Sequence, residues 1–258
     1  MLYPEHDFLD RPAAAASDGF GGVECLFPYD FGVDALAARL LRHNLSLVLF
    51  NAPPGDWDAG ERGMAALPGR EHEFRESVDC ALRAAEQLKC PRVHVMAGKL
   101  PMDLDSDHAW ECYRRNIAWA ADRAIGADVS ILIEPLNPRD MPGYLLTHQS
   151  QAHALCEDLQ RPNLGVQMDL YHCQIVEGDL SHKLRRYLPQ GRVGHIQIAG
   201  VPERHEPDTG ELSYPHLLRL IDTLGYNGWV GCEYRPSRSG PGNTRAGLGW
   251  LRAWEASK

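Results

Sequence analysis

Short apolar runs alternate along this chain with longer stretches in which apolar residues recur every three or four positions. The runs at 22–26, 46–50, 92–96, 130–133, 164–168, 193–198 and 229–232 are rich in Val, Ile and Leu and predict seven largely buried strands. Helical periodicity covers 33–43, 70–88, 105–125, 147–159, 214–224 and 243–255. A further helix is expected within 8–16, with Pro12 confined to its opening turn. Turn-forming residues separate helix from strand, as in Gln160-Arg161-Pro162-Asn163 and Leu224-Gly225-Tyr226-Asn227-Gly228.

Strand starts recur every ~25–45 residues, the cadence of βα units, which implies a parallel sheet. A closed (β/α)8 TIM barrel needs about 250 residues. The 258 residues here match it, and one domain spanning 1–258 is expected. Only Met1-Leu2-Tyr3 is available for an eighth strand ahead of the first helix, so the first strand is expected to be short or truncated. The competing architecture, a doubly wound open sheet, wants a Gly-rich nucleotide loop after its first strand, and the sequence has none.

Composition narrows the function classes. A formal charge of −9 argues against a nucleic-acid partner. No run approaches the ~20 apolar residues of a membrane span, and residues 1–11 lack the apolar stretch of a secretion signal. Seven scattered cysteines without a C-x-x-C pair read as reduced thiols and suggest a cytoplasmic protein. A homo-oligomer is compatible with all of this.

In a barrel the active site forms where the strands end. Here those ends carry polar groups: Ile133 runs into Glu134, Met168 into Asp169, Cys232 into Glu233, and Gln197 alternates with Ile196 and Ile198. The spacings are 35, 28 and 36 residues, close to one βα unit each. Solvated strand ends are the plain alternative for any one of these residues. Three carboxylates converging on one pocket would instead repel unless a cation neutralised them. Oxygen ligands with one amide favour Mg²⁺ or Mn²⁺ over zinc.

Several segments carry a resemblance. Val23-Glu24-Cys25-Leu26-Phe27-Pro28-Tyr29, Phe50-Asn51-Ala52-Pro53-Pro54-Gly55-Asp56-Trp57, Ile133-Glu134-Pro135-Leu136-Asn137, Met168-Asp169-Leu170-Tyr171-His172, Gly194-His195-Ile196-Gln197-Ile198-Ala199, Pro202-Glu203-Arg204-His205-Glu206 and Cys232-Glu233-Tyr234-Arg235-Pro236 resemble the hydroxypyruvate isomerase family of xylose isomerase-like barrels. The resemblance implies that Glu134, Asp169, Gln197 and Glu233 hold the metal and that Glu134 and Glu233 form the acid–base pair. It also implies isomerisation of a small hydroxy-keto acid, hydroxypyruvate to tartronate semialdehyde, through an enediolate. Related sugar epimerases usually have His where this chain has Gln197, which favours the hydroxy-acid branch. Family members have a complete first strand ahead of the segment matching Met1-Leu2-Tyr3.

Three further residues are candidate substrate contacts. His172 is expected to hydrogen-bond a substrate oxygen, His195 to orient substrate or ligand, and Arg204 to hold the substrate carboxylate in the bidentate manner of guanidinium. Each has a plain alternative, as a satisfied buried His or a surface Arg. Glu24, Asn51, His94 and Lys99 are read as core or rim residues, and the long loop 51–69 as a lid or a subunit contact. Other functions on such a barrel stay open: a 2-oxo-tetronate isomerase, a sugar-acid epimerase or dehydratase, and a non-catalytic sugar-binding barrel. A nuclease would want more His ligands and a basic face.

Overall fold

In the helix Glu71–Leu88 (α3), Phe74, Val78, Ala81, Leu82, Ala85 and Leu88 are all buried. Their spacing of three and four puts them on one face, which joins the main hydrophobic core. Burying a side chain such as Phe74 or Val78 contributes roughly 1.5–3 kcal/mol. The same pattern builds the other long outer helices, Val33–Arg42 (α2), Ser106–Ala124 (α4), Gln149–Leu159 (α5) and Tyr214–Thr223 (α8). Shorter helices are Arg11–Ser17 (α1), Leu170–Val176 (α6), Leu180–Tyr187 (α7), Asn243–Gly247 (α9) and Gly249–Glu255 (α10). The computed structural model describes residues 1–256.

Seven strands form one sheet: Gly22–Cys25 (β1), Ser46–Asn51 (β2), Arg92–His94 (β3), Ser130–Ile133 (β4), Leu164–Asp169 (β5), Val193–Ile198 (β6) and Val230–Cys232 (β7). They pair in chain order, each pair parallel. The sheet curls into a nearly closed barrel ringed by helices. A Cβ on Gly22 of β1 would meet the ring of Trp229, next to β7, at 3.1 Å. The hydrophobic core lies between sheet and helices, in one cluster spanning β1 to β5 and a second around β6 and α6 to α8.

The expected strands form within a residue or two of their predicted bounds, and Pro12 sits in the first turn of α1. There are three differences. The helix expected over 243–255 breaks at Leu248, between Gly247 and Gly249, where two glycines cost helical stability. Helices α6 and α7, of seven and eight residues, were passed over in the sequence, although Leu180, Leu184 and Tyr187 of α7 recur at helical spacing. The eighth strand expected at Met1-Leu2-Tyr3 does not form: Tyr3 has a left-handed φ of 59° and precedes Pro4, so the backbone turns there. Its amide instead donates to Thr244 Oγ1 at 2.9 Å.

Candidate active site

Side chains alternate faces along a strand, so Gln167 and Asp169 share one face of β5 and His195 and Gln197 one face of β6. Register then sets neighbours: Gln167 pairs with His195, Asp169 with Gln197, and Gln197 with Gly231. Two irregularities re-aim this layer, one where Val48 is passed over between β1 and β2, the other where Gly194 is passed over between β5 and β6. They flank Glu24 and His195, which meet at 2.5 Å.

Glu134 and Asp169 converge. Each offers an oxygen within 4.8 Å of the other and of a His172 nitrogen, and all three residues are buried. Arg204 Nη2 joins Asp169 to Glu233, donating at 3.1 Å to Asp169 Oδ2 and at 2.6 Å to Glu233 Oε2. Asp169 Oδ1 caps α6 by accepting the Tyr171 amide at 2.7 Å, which leaves Oδ2 to face the site. Burial, reinforced by Glu233 and Asp169, pushes Glu134 well above the ordinary carboxylate range. Burial likewise pushes Asp169 up to about 7, against the pull of Arg204. Burial opposes the charge on Arg204, but Glu233, Asp169 and Glu134 outweigh it and raise its pKa.

Ionising all three carboxylates against one guanidinium would leave a deficit of two positive charges in a buried site, so Glu134 and Asp169 resist ionisation, and among the described residues Glu134 Oε1 has no hydrogen-bond partner. An all-oxygen donor set with that deficit fits a hard divalent cation. His172 meets the distance criterion for a ligand, yet its tautomer argues otherwise. Its Nδ1 accepts the Asn137 backbone N–H at 3.1 Å, so in the neutral ring the proton is on Nε2, 3.6 Å from Asp169 Oδ2. Burial, with Arg204 adding to it, holds His172 well below the ordinary histidine range and keeps it neutral. His172 therefore offers a hydrogen-bond donor to the site, not a metal-binding lone pair.

Beside this cluster lies a polar network that joins the expected site residues His195 and Gln197 to Glu24 and Gln167. The sequence reading left Glu24, like the nearby Asn51 and His94, in a core or rim role and passed over Gln167. Glu24 Oε2 meets His195 Nε2, and Glu24 Oε1 accepts from Gln197 Nε2 at 2.9 Å. Gln197 Oε1 in turn accepts from Gln167 Nε2 at 2.5 Å. Burial opposes ionisation of Glu24, but His195 and the Gln197 bond outweigh it and hold the carboxyl below its ordinary value. His94 Nδ1 meets Asn51 Oδ1 at 3.1 Å and lies 3.7 Å from Glu134 Oε2; burial lowers its pKa to about 3. Glu24, Asn51, His94, Glu134, Gln167, Gln197 and Glu233 line one cavity of about 650 Å³. The signal for them was present: each is a polar residue within or at the end of an apolar run. Lys99 is exposed, as a rim residue would be.

The surrounding loops are fixed by named contacts. Arg204, at a left-handed φ of 56°, is held by Arg204 N–H to Gly200 O and Arg235 N–H to Arg204 O, at 2.8 and 2.9 Å. Buried Glu206 accepts the Ser237 amide with both oxygens, joining the loops after β6 and β7. Residues 63–66 of the loop after β2 are buried, and Ala66 N–H donates to Ala97 O at 2.8 Å, so this part of the loop is packed against the chain beyond β3. No helix among the described residues is long and apolar enough to cross a membrane.

Comparison with known proteins agrees with this geometry. A family model for the xylose isomerase-like TIM barrel matches residues 12–254. The chain is 56% identical to a 2-oxo-tetronate isomerase of Cupriavidus necator, covering 98% of this chain and 95% of the relative. It is 43% identical to a hydroxypyruvate isomerase of Escherichia coli, covering 97% and 95%. Among solved structures it is similar to an AP endonuclease, family 2, from Brucella melitensis, with 49% identity, a TM-score of 0.93, and 98% and 95% coverage. A parallel barrel matched over nearly its whole length, with relatives of this identity, places the chain among the isomerases of the xylose isomerase-like TIM-barrel family.

Proposed function

We propose that this chain isomerises a short 3-hydroxy-2-oxo acid, moving the carbonyl from C2 to C3 with the help of a divalent cation. Hydroxypyruvate and 2-oxo-tetronate share that unit, and the higher identity to the Cupriavidus necator relative favours the four-carbon acid. The observation that carries the reading is the convergence of the Glu134, Asp169 and Glu233 carboxyl groups beside a single guanidinium, Arg204, with one Glu134 oxygen unpartnered among the described residues.

Glu134, Asp169, Glu233 and the Gln197 amide oxygen would hold the cation, Mg²⁺ or Mn²⁺. When bound, it supplies Lewis-acid stabilisation of the enediolate formed when C3 loses its proton. Glu134 or Glu233 takes that proton and one of the pair returns a proton to C2, while the O3 hydroxyl proton passes to O2, so that the carbonyl forms at C3 and the hydroxyl at C2. Positioned carboxylates contribute about 10²–10⁴-fold to such a step. His172 Nε2–H donates to a substrate oxygen. Arg204 meets the substrate carboxylate, and its aromatic neighbour Tyr171, 4.7 Å from the guanidinium carbon, limits where it swings. His195, tied to Glu24, orients this end of the site.

Proton NMR in D₂O tests the reading directly. With Mg²⁺ or Mn²⁺, each acid is expected to yield its 3-oxo isomer, with deuterium entering at the reacting carbons. Absence of both isomer and exchange with both acids overturns the proposal. Glu134→Gln and Glu233→Gln are each expected to abolish turnover; near-native rates in either remove that residue from the acid–base pair.

A further inference from the structure

A side-chain amide has two faces of opposite sense, an accepting oxygen and a donating NH₂, and only the oxygen serves a hard cation. Gln197 therefore has to be told which way to turn. On one side of it stands Glu24, whose carboxylate only accepts; on the other stands Gln167, whose amide could satisfy either sense. With Glu24 Oε1 2.9 Å from Gln197 Nε2, the Gln197 nitrogen must face Glu24 and its oxygen must face away. The same constraint passes along the row, because Gln197 Oε1 then requires the NH₂ of Gln167, which donates at 2.5 Å. Glu24 itself is clamped by His195 Nε2 at 2.5 Å, so the carboxylate cannot rotate out of the row.

The space for that carboxylate comes from β7. Gly231 is the register partner of Gln197, and a Cβ there would lie 2.6 to 2.8 Å from the Glu24 carboxyl atoms. A residue with any side chain at 231 would push Glu24 off Gln197. Glu24 on β1, Gly231 on β7 and His195 on β6 thus form a device that spans the junction of the first and last strands.

We infer that Glu24 is a positioning residue: held by His195 and accommodated by Gly231, it orients the Gln197 amide so that its oxygen, not its nitrogen, is presented to the cation. The inference rests on Gln197 being an oxygen ligand, as proposed above. The competing role for Glu24 is a nearby negative charge that attracts any cation regardless of how Gln197 is turned.

Mn²⁺ affinity, measured on the full chain by calorimetry and by electron paramagnetic resonance of free Mn²⁺, separates these roles without reference to turnover. Glu24→Gln, which can pair with Gln197 in either sense, is expected to weaken Mn²⁺ binding about 10–100-fold, the usual effect of losing a residue that orients a metal ligand. Gly231→Ala keeps the Glu24 charge but displaces its carboxylate, and is expected to weaken binding as well. In a Gln197→Leu background no amide is left to orient, so Glu24→Gln is expected to change the residual affinity by less than about threefold. An equal loss from Glu24→Gln in both backgrounds, or native affinity in Gly231→Ala, assigns Glu24 to bulk charge and overturns the inference. Gln197→Leu guards the premise. If it binds Mn²⁺ like the native chain, Gln197 is no ligand and the proposed ligand set falls with the inference. If it binds weakly while Glu24→Gln binds normally, the inference alone falls.

Discussion

Replacing Arg204 with Met removes the one guanidinium that joins Asp169 to Glu233, at 3.1 and 2.6 Å, while keeping an apolar stem of similar length. Asp169 is fully buried, and the Arg204 and Glu233 side chains are 17% and 15% exposed. Removing one partner of a buried ion pair typically costs ~3–5 kcal/mol, because the remaining charges stay buried and unpaired. Partial exposure of two of the three groups argues for the lower figure, about 3 kcal/mol. For a chain of this size each kcal/mol moves Tm by about 2–4 °C, so metal-free Arg204→Met is expected to melt roughly 6–12 °C below the native chain. Saturating Mn²⁺ supplies the missing positive charge, so the gap should close by at least half. If Arg204 holds the substrate carboxylate as proposed, the same substitution removes a charge-assisted hydrogen bond worth about 1.5–3 kcal/mol, which corresponds to a KM increase of ~10–100-fold. Thermal unfolding with and without Mn²⁺, followed by steady-state kinetics, measures all three. A Tm gap that is the same with and without the ion would falsify the charge-compensation argument, and an unchanged KM removes Arg204 from the substrate pocket.

Asp169→Asn keeps an oxygen to cap α6 on the Tyr171 amide, and Asn caps as well as Asp. Its NH₂ then replaces the Oδ2 that accepts from Arg204, so a metal-free Tm loss no larger than that of Arg204→Met is expected while Mn²⁺ affinity collapses; a larger fall in Tm would mean that the cap is lost as well. His153 stacks on Tyr187 with ring centroids 3.8 Å apart, and burial lowers its pKa to about 4. The unfolded chain binds a proton there near pH 6.5 and the native state does not, so stability is full at neutral pH and is lost as pH falls from about 6.5 toward 4. That loss is about 2 kcal/mol at pH 5. His153→Phe should lose about that much less on going from pH 7 to pH 5, as read by urea unfolding; parallel pH profiles would sink the idea. Gly63 has a φ of 106° and a Cβ there would sit 2.3 Å from Met96 O, so Gly63→Ala should destabilise the loop after β2 by about 1–3 kcal/mol, visible as faster proteolysis within 52–69. Unchanged proteolysis would mean that the loop accommodates the methyl by moving.

Much of this was legible in the chain because two periods dominate it. The long helices declared themselves through apolar spacing, and runs such as 130–133 and 193–198 coincide with β4 and β6. The carboxylates at 134, 169 and 233 were legible because a charged residue closing an apolar run has few reasons to be there, and the structure does draw them around Arg204. What stayed hidden depends on contacts between distant segments. Glu24 and His195 are 171 residues apart in sequence, and only barrel closure brings them together. The His172 tautomer turns on a backbone amide 35 residues away. The α6 helix is seven residues long, and the cap role of Asp169, the residue before it, was masked because Asp169 also ends β5.

The two large apolar clusters of this protein lie outside the sheet, whereas the space the strands enclose is populated by residues such as Asn51, His94, Gln167 and His195, with a small apolar group of Val48, Leu49 and Leu132. Mutational tolerance should therefore differ between the two regions. Exchanges inside the ring of strands that keep each buried polar group partnered leave the helix-to-sheet packing untouched, so a lineage can sample new substrates there at less risk to folding. Substitutions on the inward faces of α3 or α4 offer no such freedom. A saturation library scored separately for folding and for substrate choice should show those two maps occupying opposite sides of the same strands.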